Sequence, residues 1–408
     1  MRNFALSAVT FSLAAALLAG CGASQPPIGA PGAILHSSAK APSASYRLLY
    51  SFNGEGSSPS ASLISVNGTL YGTTLSGGYD GFTGTVFSTT TTGMLRFLAF
   101  FGLPPDASNP AASLISLNGT LYGTTEYGGR FGSDHGKKGG NGTVFSISTS
   151  GTVNILHSFR GHNDGDHPLA SLIDIGGTLY GTTRDGGTKQ GGTVFEISTS
   201  GRERVLHSFY FSGGSSSDGS EPCASLIDVN GTLYGTTSGG GAYGHGTVFS
   251  ITTTGTEHVL YSFGGSASDG SEPHASLIDV HGTLYGTTEF GGTYGWGTVF
   301  STSTSGTEHV LHTFAGGSDG AAPAAGLIDV KGTLYGTTRD GGGSSCGSNG
   351  CGTVFSVTTG GKEQVLYAFT SSDGAWPVAG LINVNGTLYG TTLGGGEIGN
   401  GTVFAFTP

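Results

Sequence analysis

Seven Leu-Tyr-Gly-Thr-Thr segments begin at Leu70, Leu121, Leu179, Leu233, Leu284, Leu334 and Leu388, and the residue after each is not fixed by the repeat. Those seven residues are Leu75, Glu126, Arg184, Ser238, Glu289, Arg339 and Leu393. Carboxylates and guanidinium groups at otherwise equal positions suit a polar mouth that holds a ligand; they equally suit pairing with one another or solvation. Trp296 and Trp376 are the only tryptophans, and they fall in loops of variable length. With Tyr127, Tyr243, Phe290 and Tyr294 they can stack on sugar rings, burying apolar area while a polar edge stays wet. Packing between neighbouring loops is the alternative role.

A second set of acids recurs between repeats: Glu55, Asp106, Asp164, Asp218, Asp269, Asp319 and Asp373. An Asp-Gly pair builds a turn in which the carboxylate bonds nearby backbone, and recurrence in every repeat favours that structural reading. Oxygen ligands also suit Ca²⁺. The candidates for it are the most acidic loops, Asp218 with Glu221 and Asp269 with Glu272; no other cofactor is expected. The histidines show no metal-ligand spacing. His157, His207 and His312 share one repeat position with Tyr50, Tyr261 and Tyr367, so they read as sheet residues. No Ser/His/Asp set, phosphate loop or HExxH motif can be assigned, and no catalytic residue is named.

The elements that position these groups follow from the repeat. Successive copies start 50 to 58 residues apart, the period of a propeller or stacked array. Each copy reads as four strands. In the fourth they are 226–229, 232–237, 247–252 and 259–263, rich in Val, Ile, Thr, Tyr and Phe as pleated surfaces prefer. Asn230-Gly231 between the first two predicts a type I′ turn, which needs positive φ at both positions. Segments such as Val-Phe-Ser-Ile are apolar on both faces, as in sheets stacked blade against blade. The fourth-strand motif occurs first at 48–52, before any complete set, and the last set ends without one. The N-terminal strand is therefore expected to complete the last sheet, removing the open edges. The expected fold is all-β: a seven-bladed β-propeller of four-stranded antiparallel blades. An open β-solenoid is the alternative that the one-strand offset disfavours.

Loop lengths separate two ends of this ring. The first-to-second and third-to-fourth strand connections keep one length throughout. The second-to-third and inter-blade connections vary, and insertions confined to one face often mark the binding face.

The pattern Asp-Gly-x-x-Pro, Leu-Ile, Asn-Gly-Thr-Leu-Tyr-Gly-Thr-Thr, Gly-Gly, Gly-Thr-Val-Phe resembles the GloVer (Gloeobacter/Verrucomicrobia) tandem-repeat family of secreted or anchored bacterial proteins, over residues 46–408. The resemblance implies surface attachment and a propeller-like body, and implies no reaction. Local departures are Gly176, His281 and Lys331 in place of the usual Asn, and Glu55 in place of Asp.

Arg2 followed by an apolar run to Leu18 reads as a targeting segment, residues 1–20. Leu18-Ala19-Gly20-Cys21 resembles the bacterial lipoprotein signal, which implies cleavage before Cys21 and its lipidation. Residues 21–45, rich in Ala, Ser, Pro and Gly, read as a flexible tether, and residues 46–408 as the propeller. Of the remaining cysteines, Cys346 and Cys351 bracket a short stretch of a long insertion, and a disulfide between them suits an oxidising compartment; Cys223 is left over. A net charge of −11 with only 15 Lys plus Arg and no basic stripe argues against nucleic acid. The expectation is a monomeric, lipid-anchored protein of the bacterial cell envelope, touching the membrane through its anchor only. Its propeller is expected to act as a non-catalytic binding module for a glycan or a protein. The alternative is an extracellular lyase or hydrolase acting on carbohydrate at the channel mouth.

Overall fold

Seven antiparallel sheets, each of four strands, stand in a ring and make a seven-bladed β-propeller. The computed structural model describes residues 44–78, 83–102, 107–131, 139–211 and 218–408. Residues 1–43, which hold the expected targeting segment, Cys21 and most of the expected tether, and Asp106 lie outside them. Blades 1 to 7 begin at Ile64, Ile115, Ile173, Ile227, Ile278, Ile328 and Ile382. In blade 4 the strands are Ile227–Val229, Thr232–Thr237, Thr247–Thr252 and Glu257–Ser262, running from the channel outward. The last sheet is closed by the chain's beginning: Ser45–Ser51 pairs antiparallel with Thr402–Thr407, Tyr46 opposite Phe406. Among the described residues there is no α-helix, and no helix long and apolar enough to cross a membrane.

The repeated residues are the ones that hold blade to blade. The first Thr of each Leu-Tyr-Gly-Thr-Thr donates its hydroxyl to an Ala carbonyl of the next blade: Thr73 to Ala112, Thr124 to Ala170, Thr182 to Ala224, and so on to Thr391 with Ala61. The second Thr stays within its own blade, 2.8 Å from the Thr of Gly-Thr-Val-Phe, as Thr237 does from Thr247. The Gly between Tyr and Thr is required by packing: a Cβ on Gly235 would lie 2.7 Å from Phe249 Cζ. The Gly of Gly-Thr-Val-Phe receives a proline from the following blade, and a Cβ on Gly246 would meet Pro273 Cδ at 2.7 Å.

Between blades the core is aromatic. Phe52 meets Phe87 edge to face at 5.3 Å, Phe209 meets Phe249 at 5.2 Å, and Phe369 meets Phe404 at 5.1 Å. Each such pair adds about 0.5–1.5 kcal/mol beyond its buried area.

The two ends differ as the loop lengths require. At one end the expected type I′ turns form throughout, with φ of 55° at Asn230 and 83° at Gly231. His281 and Lys331 hold the same left-handed conformation at 55° and 56°. There Asp279 Oδ1 and Asp329 Oδ1 accept from the amides of Gly282 and Gly332, the same bond that Asp228 and Asn383 make at the Asn-Gly turns. At the other end the entry to each blade pairs with its second-to-third loop. Gly56–Ser57 bonds Ser76–Gly77, and Gly270–Ser271 bonds Phe290–Gly291.

Candidate functional site

Each blade presents two residues, bonded by their backbones, at the mouth of the channel on the variable end. The residue before the conserved proline accepts, through its carbonyl, the amide of the residue after Thr-Thr. The pairs are Ser58 with Leu75, Asn109 with Glu126, His167 with Arg184, Glu221 with Ser238, Glu272 with Glu289, Ala322 with Arg339, and Trp376 with Leu393. The residue before the proline holds positive φ in every blade, from 53° to 58°. A non-glycine residue there is held by its surroundings. The scaffold is thus near-symmetric, and side-chain chemistry breaks the symmetry at this layer.

Below the mouth the channel is narrow. Seven Pro-x-Ala-Ser or Pro-x-Ala-Gly segments line a cavity of about 110 Å³, and Ser171 N and Ser225 N donate to the hydroxyls of Ser225 and Ser276 in the next blades. Ordinary ligand pockets hold roughly 300–1,000 Å³. The channel can take a few waters, and a larger ligand does not fit inside it.

The rim divides into a charged arc and an apolar wall. In blades 5 and 6, Arg339 Nη1 donates to Glu289 Oε1 across the junction, while Arg339 Nη2 reaches Asp340 Oδ2 at 3.1 Å. The Glu289 side chain is only 9% exposed, so Arg339 neutralises a largely buried charge. His274 lies beside them, its Nε2 buried without a hydrogen-bond partner, 3.7 Å from Glu272 and 4.0 Å from Glu289. In blade 3, Arg184 Nε and His167 Nδ1 share Asp185 Oδ2 at 3.0 and 3.1 Å. Burial pulls the His167 imidazole down, but the Asp185 hydrogen bond and the Asp166 and Asp185 charges outweigh it, so its pKa stands above the usual value. Burial acts against the Asp185 carboxylate too, yet its His167 and Arg184 partners hold its pKa below the ordinary value. Tyr127 packs edge to face on His167 at 5.1 Å. Burial and the Glu126 charge push its phenol up to about 12. In blades 7 and 1 the same layer is uncharged and mostly apolar: Trp376, Leu393 and Leu75, with Ser58.

The sequence-derived residues do not all meet. Glu126, Arg184, Glu289, Arg339 and Trp376 share the mouth layer. Trp296 stands one step outward, 48% exposed, its Nε1 3.1 Å from where a Cβ on Gly316 would sit, and with Asn349 and Asp340 it lines a groove of about 60 Å³. Phe290 is exposed on the short ladder with Ser271. Cys346 and Cys351 are joined as a disulfide that spans the blade 6 insertion. Cys223 lines the channel below the mouth, and burial pushes its thiol up to about 12.

The acids considered for Ca²⁺ are dispersed to different partners. Glu221 and Glu272 belong to the mouth, whereas Asp218 stands with His207 and Glu257 at the outer edge of the blade 3/4 junction. Asp269 Oδ2 already accepts from Tyr261 Oη and from the amides of Gly264 and Gly265. The turn role is general: Arg160 N, Ala315 N and Thr370 N donate to Asp164, Asp319 and Asp373.

His157, His207 and His312 lie in outermost strands, as their repeat position implied, and each stands beside two carboxylates. His157, Asp164 and Glu203 converge, as do His207, Asp218 and Glu257, and His312, Asp319 and Glu363. The available signal was a correlation between repeats: where a blade has His at this position, the next blade opens its outer strand with Glu.

No curated protein matches the chain. Solved structures resemble the chain at low identity. A puromycin-hydrolysing peptidase of Mycobacterium tuberculosis superposes with a TM-score of 0.49 at 11% identity, over 84% of this chain and 50% of that one. A candidate 6-phosphogluconolactonase of Bacteroides uniformis gives 0.47 at 14%, over 78% and 87%, and YjhT gives 0.44 at 10%, over 76% and 97%. The family profile of the Gloeobacter/Verrucomicrobia repeat matches residues 132–279 and 265–408, most of the chain, and the protein belongs to that family.

Proposed function

We propose that the protein is an exported envelope lipoprotein whose propeller binds a glycan at the mouth of its variable end. One observation carries the reading: the same layer sets Trp376, 39% exposed, and Leu393 in the blade next to the Glu289–Arg339 pair. An indole face takes the apolar face of a sugar ring. A carboxylate and a guanidinium beside it offer acceptors and forked donors to hydroxyl groups. The arc carries more carboxylates than guanidinium groups, which disfavours strongly anionic polymers. Anchoring rests on Leu18-Ala19-Gly20-Cys21. The test is a glycan array probed with residues 44–408, run beside the Trp376→Ala variant. Glycan retention that the variant loses supports the reading. Capture of protein ligands with no glycan retained would replace it with a protein-binding module.

A second reading has its own observation. His274 Nε2 is buried, unpartnered and near two carboxylates at the channel mouth, an arrangement that suits general acid or base work on a bound saccharide. Release of reducing ends from an array-positive glycan, abolished by His274→Gln, would select this enzyme reading over the binding module.

A further inference from the structure

We propose that the protein binds a divalent metal of the zinc class at three blade junctions, through His157, Asp164 and Glu203, through His207, Asp218 and Glu257, and through His312, Asp319 and Glu363. These sites are separate from the mouth and do not depend on what it binds.

Each set is built the same way. The His comes from the outermost strand of one blade, the Asp from the loop that leaves that blade, and the Glu from the outermost strand of the next. One ligand atom from each residue lies within 4.8 Å of the other two. The His Nε2 to Asp Oδ2 distances are 3.1, 3.3 and 3.4 Å. Two ligands about 2.0–2.2 Å from a tetrahedral ion stand roughly 3.3–3.5 Å apart. The pairs at 3.3 and 3.4 Å already have that spacing, the His157–Asp164 pair, now hydrogen-bonded at 3.1 Å, has to open by about 0.2 Å, and the Glu carboxylate has to close in. Backbone donors fix two of the aspartates: Arg160 N on Asp164 at 2.9 Å and Ala315 N on Asp319 at 2.7 Å, the kind of outer support that orients ligating carboxylates.

The third ligand leaves a buried atom unsatisfied. Glu203 Oε1, Glu257 Oε1 and Glu363 Oε1 have no hydrogen-bond partner, nor has His312 Nε2; Glu308 Oε1 at the junction without a histidine shares that state, so it is the facing His and Asp that single out the three sites. Buried polar atoms are costly in that state, and a cation supplies the missing partner.

The chain contains its own comparison. Where the next blade has Leu95, Val153 or Tyr46 in place of Glu, the preceding position is Tyr50, Ala99 or Tyr367 and never His. At the blade 4/5 junction Tyr261 replaces His beside Glu308, and the Asp269 oxygen that would face a metal is filled by three donors. A nitrogen with two carboxylates favours zinc-like ions over Ca²⁺ and Mg²⁺, which take oxygen. Three protein ligands leave one position for water. Because the ligands span two blades, occupancy ties neighbouring outer strands together, and binding to the folded form alone raises stability.

The experiment is calorimetric titration of the purified, chelator-stripped full chain with ZnCl₂, with thermal melts in Zn²⁺, Ca²⁺ and Mg²⁺. Three equivalents and a melting rise specific to Zn²⁺ are expected. His157→Tyr, His207→Tyr and His312→Tyr, which copy the chain's own Tyr261, should each remove one equivalent, and the triple variant should lose the Zn²⁺-dependent rise. Glu203→Gln, Glu257→Gln and Glu363→Gln give the same expectation should a tyrosine variant fail to fold. Fewer than three equivalents, uptake undiminished in the variants, or an equal rise in Ca²⁺ or Mg²⁺ overturns the proposal.

Discussion

Thr391 Oγ1 donates a 3.2 Å hydrogen bond to the carbonyl of Ala61, 330 residues earlier in the chain. It is the seventh member of a series whose other six join sequential blades, so the bond that closes the ring equals those that propagate it. Thr391→Val keeps the shape and leaves a buried carbonyl without its donor, a loss of about 1–3 kcal/mol. Urea unfolding should show it as a lowered midpoint with the slope unchanged. Removing residues 46–53 is a larger insult, since Thr402–Thr407 then becomes an open edge. That variant should aggregate or lose cooperativity; a monomer with the parent's melting temperature would refute closure by this strand.

Gly235 tests the packing role of the repeated glycines. A methyl group there would stand 2.7 Å from Phe249 Cζ and 2.9 Å from Leu226 Cδ2. Gly235→Ala should cost about 1–3 kcal/mol as overpacking. Phe249→Leu in the same chain should recover part of it, because the shorter side chain vacates the contact. Denaturant melts of the two single variants and the double variant measure the coupling, and additive losses would mean that steric conflict is not the reason for glycine.

These two cases mark what could be read from the chain. The blades, the turn at Asn230-Gly231 and the closing strand were legible because each depends on contacts repeated seven times, so a pattern stands out from one sequence. The mouth was legible only as a set of variable positions. That Arg339 pairs with Glu289, and that Trp376 rather than Trp296 shares their layer, depends on which side chains neighbouring blades turn toward each other. The His, Asp and Glu groups escaped for the same reason. His157 and Glu203 belong to different repeats, and spacing rules written for one helix or loop do not connect them.

Glu308 gives a pH dependence at the one such junction that lacks a histidine. Burial, with the Asp269 charge adding to it, pushes its carboxyl up to about 7 from the ordinary 4.5. The folded protein then holds a proton that the unfolded chain has released between those pH values, so stability falls as pH rises through that window and is level above it. Glu308→Gln removes the penalty. Discounted for the partial exposure of the side chain, the variant should gain about 1–2 kcal/mol at pH 8 and little at pH 4. Parallel melts at the two pH values check this, and a gain of equal size at both would assign the effect to something other than titration.

Binding and stability should separate between the two ends of the ring. Trp376→Ala removes the apolar wall of the mouth, and loss of an anchoring aromatic costs about 2 kcal/mol or more, roughly thirtyfold in affinity. Trp296→Ala, one step outward, should cost less. Arg339→Gln alone leaves Glu289 buried without its cation and should destabilise the fold by about 1–3 kcal/mol after allowance for partial exposure. Glu289→Gln with Arg339→Gln removes both charges, so its stability should lie closer to the parent while binding falls. Asn230→Ala and Asn385→Ala are the controls: both side chains sit at positive φ, 55° and 54°, in turns at the opposite end. They should lose about 1 kcal/mol of stability and bind as the parent does. Titrating an array-positive glycan against this panel decides the matter. If the asparagine variants remain folded and lose the ligand while Trp376→Ala keeps it, binding takes place at the other end of the propeller.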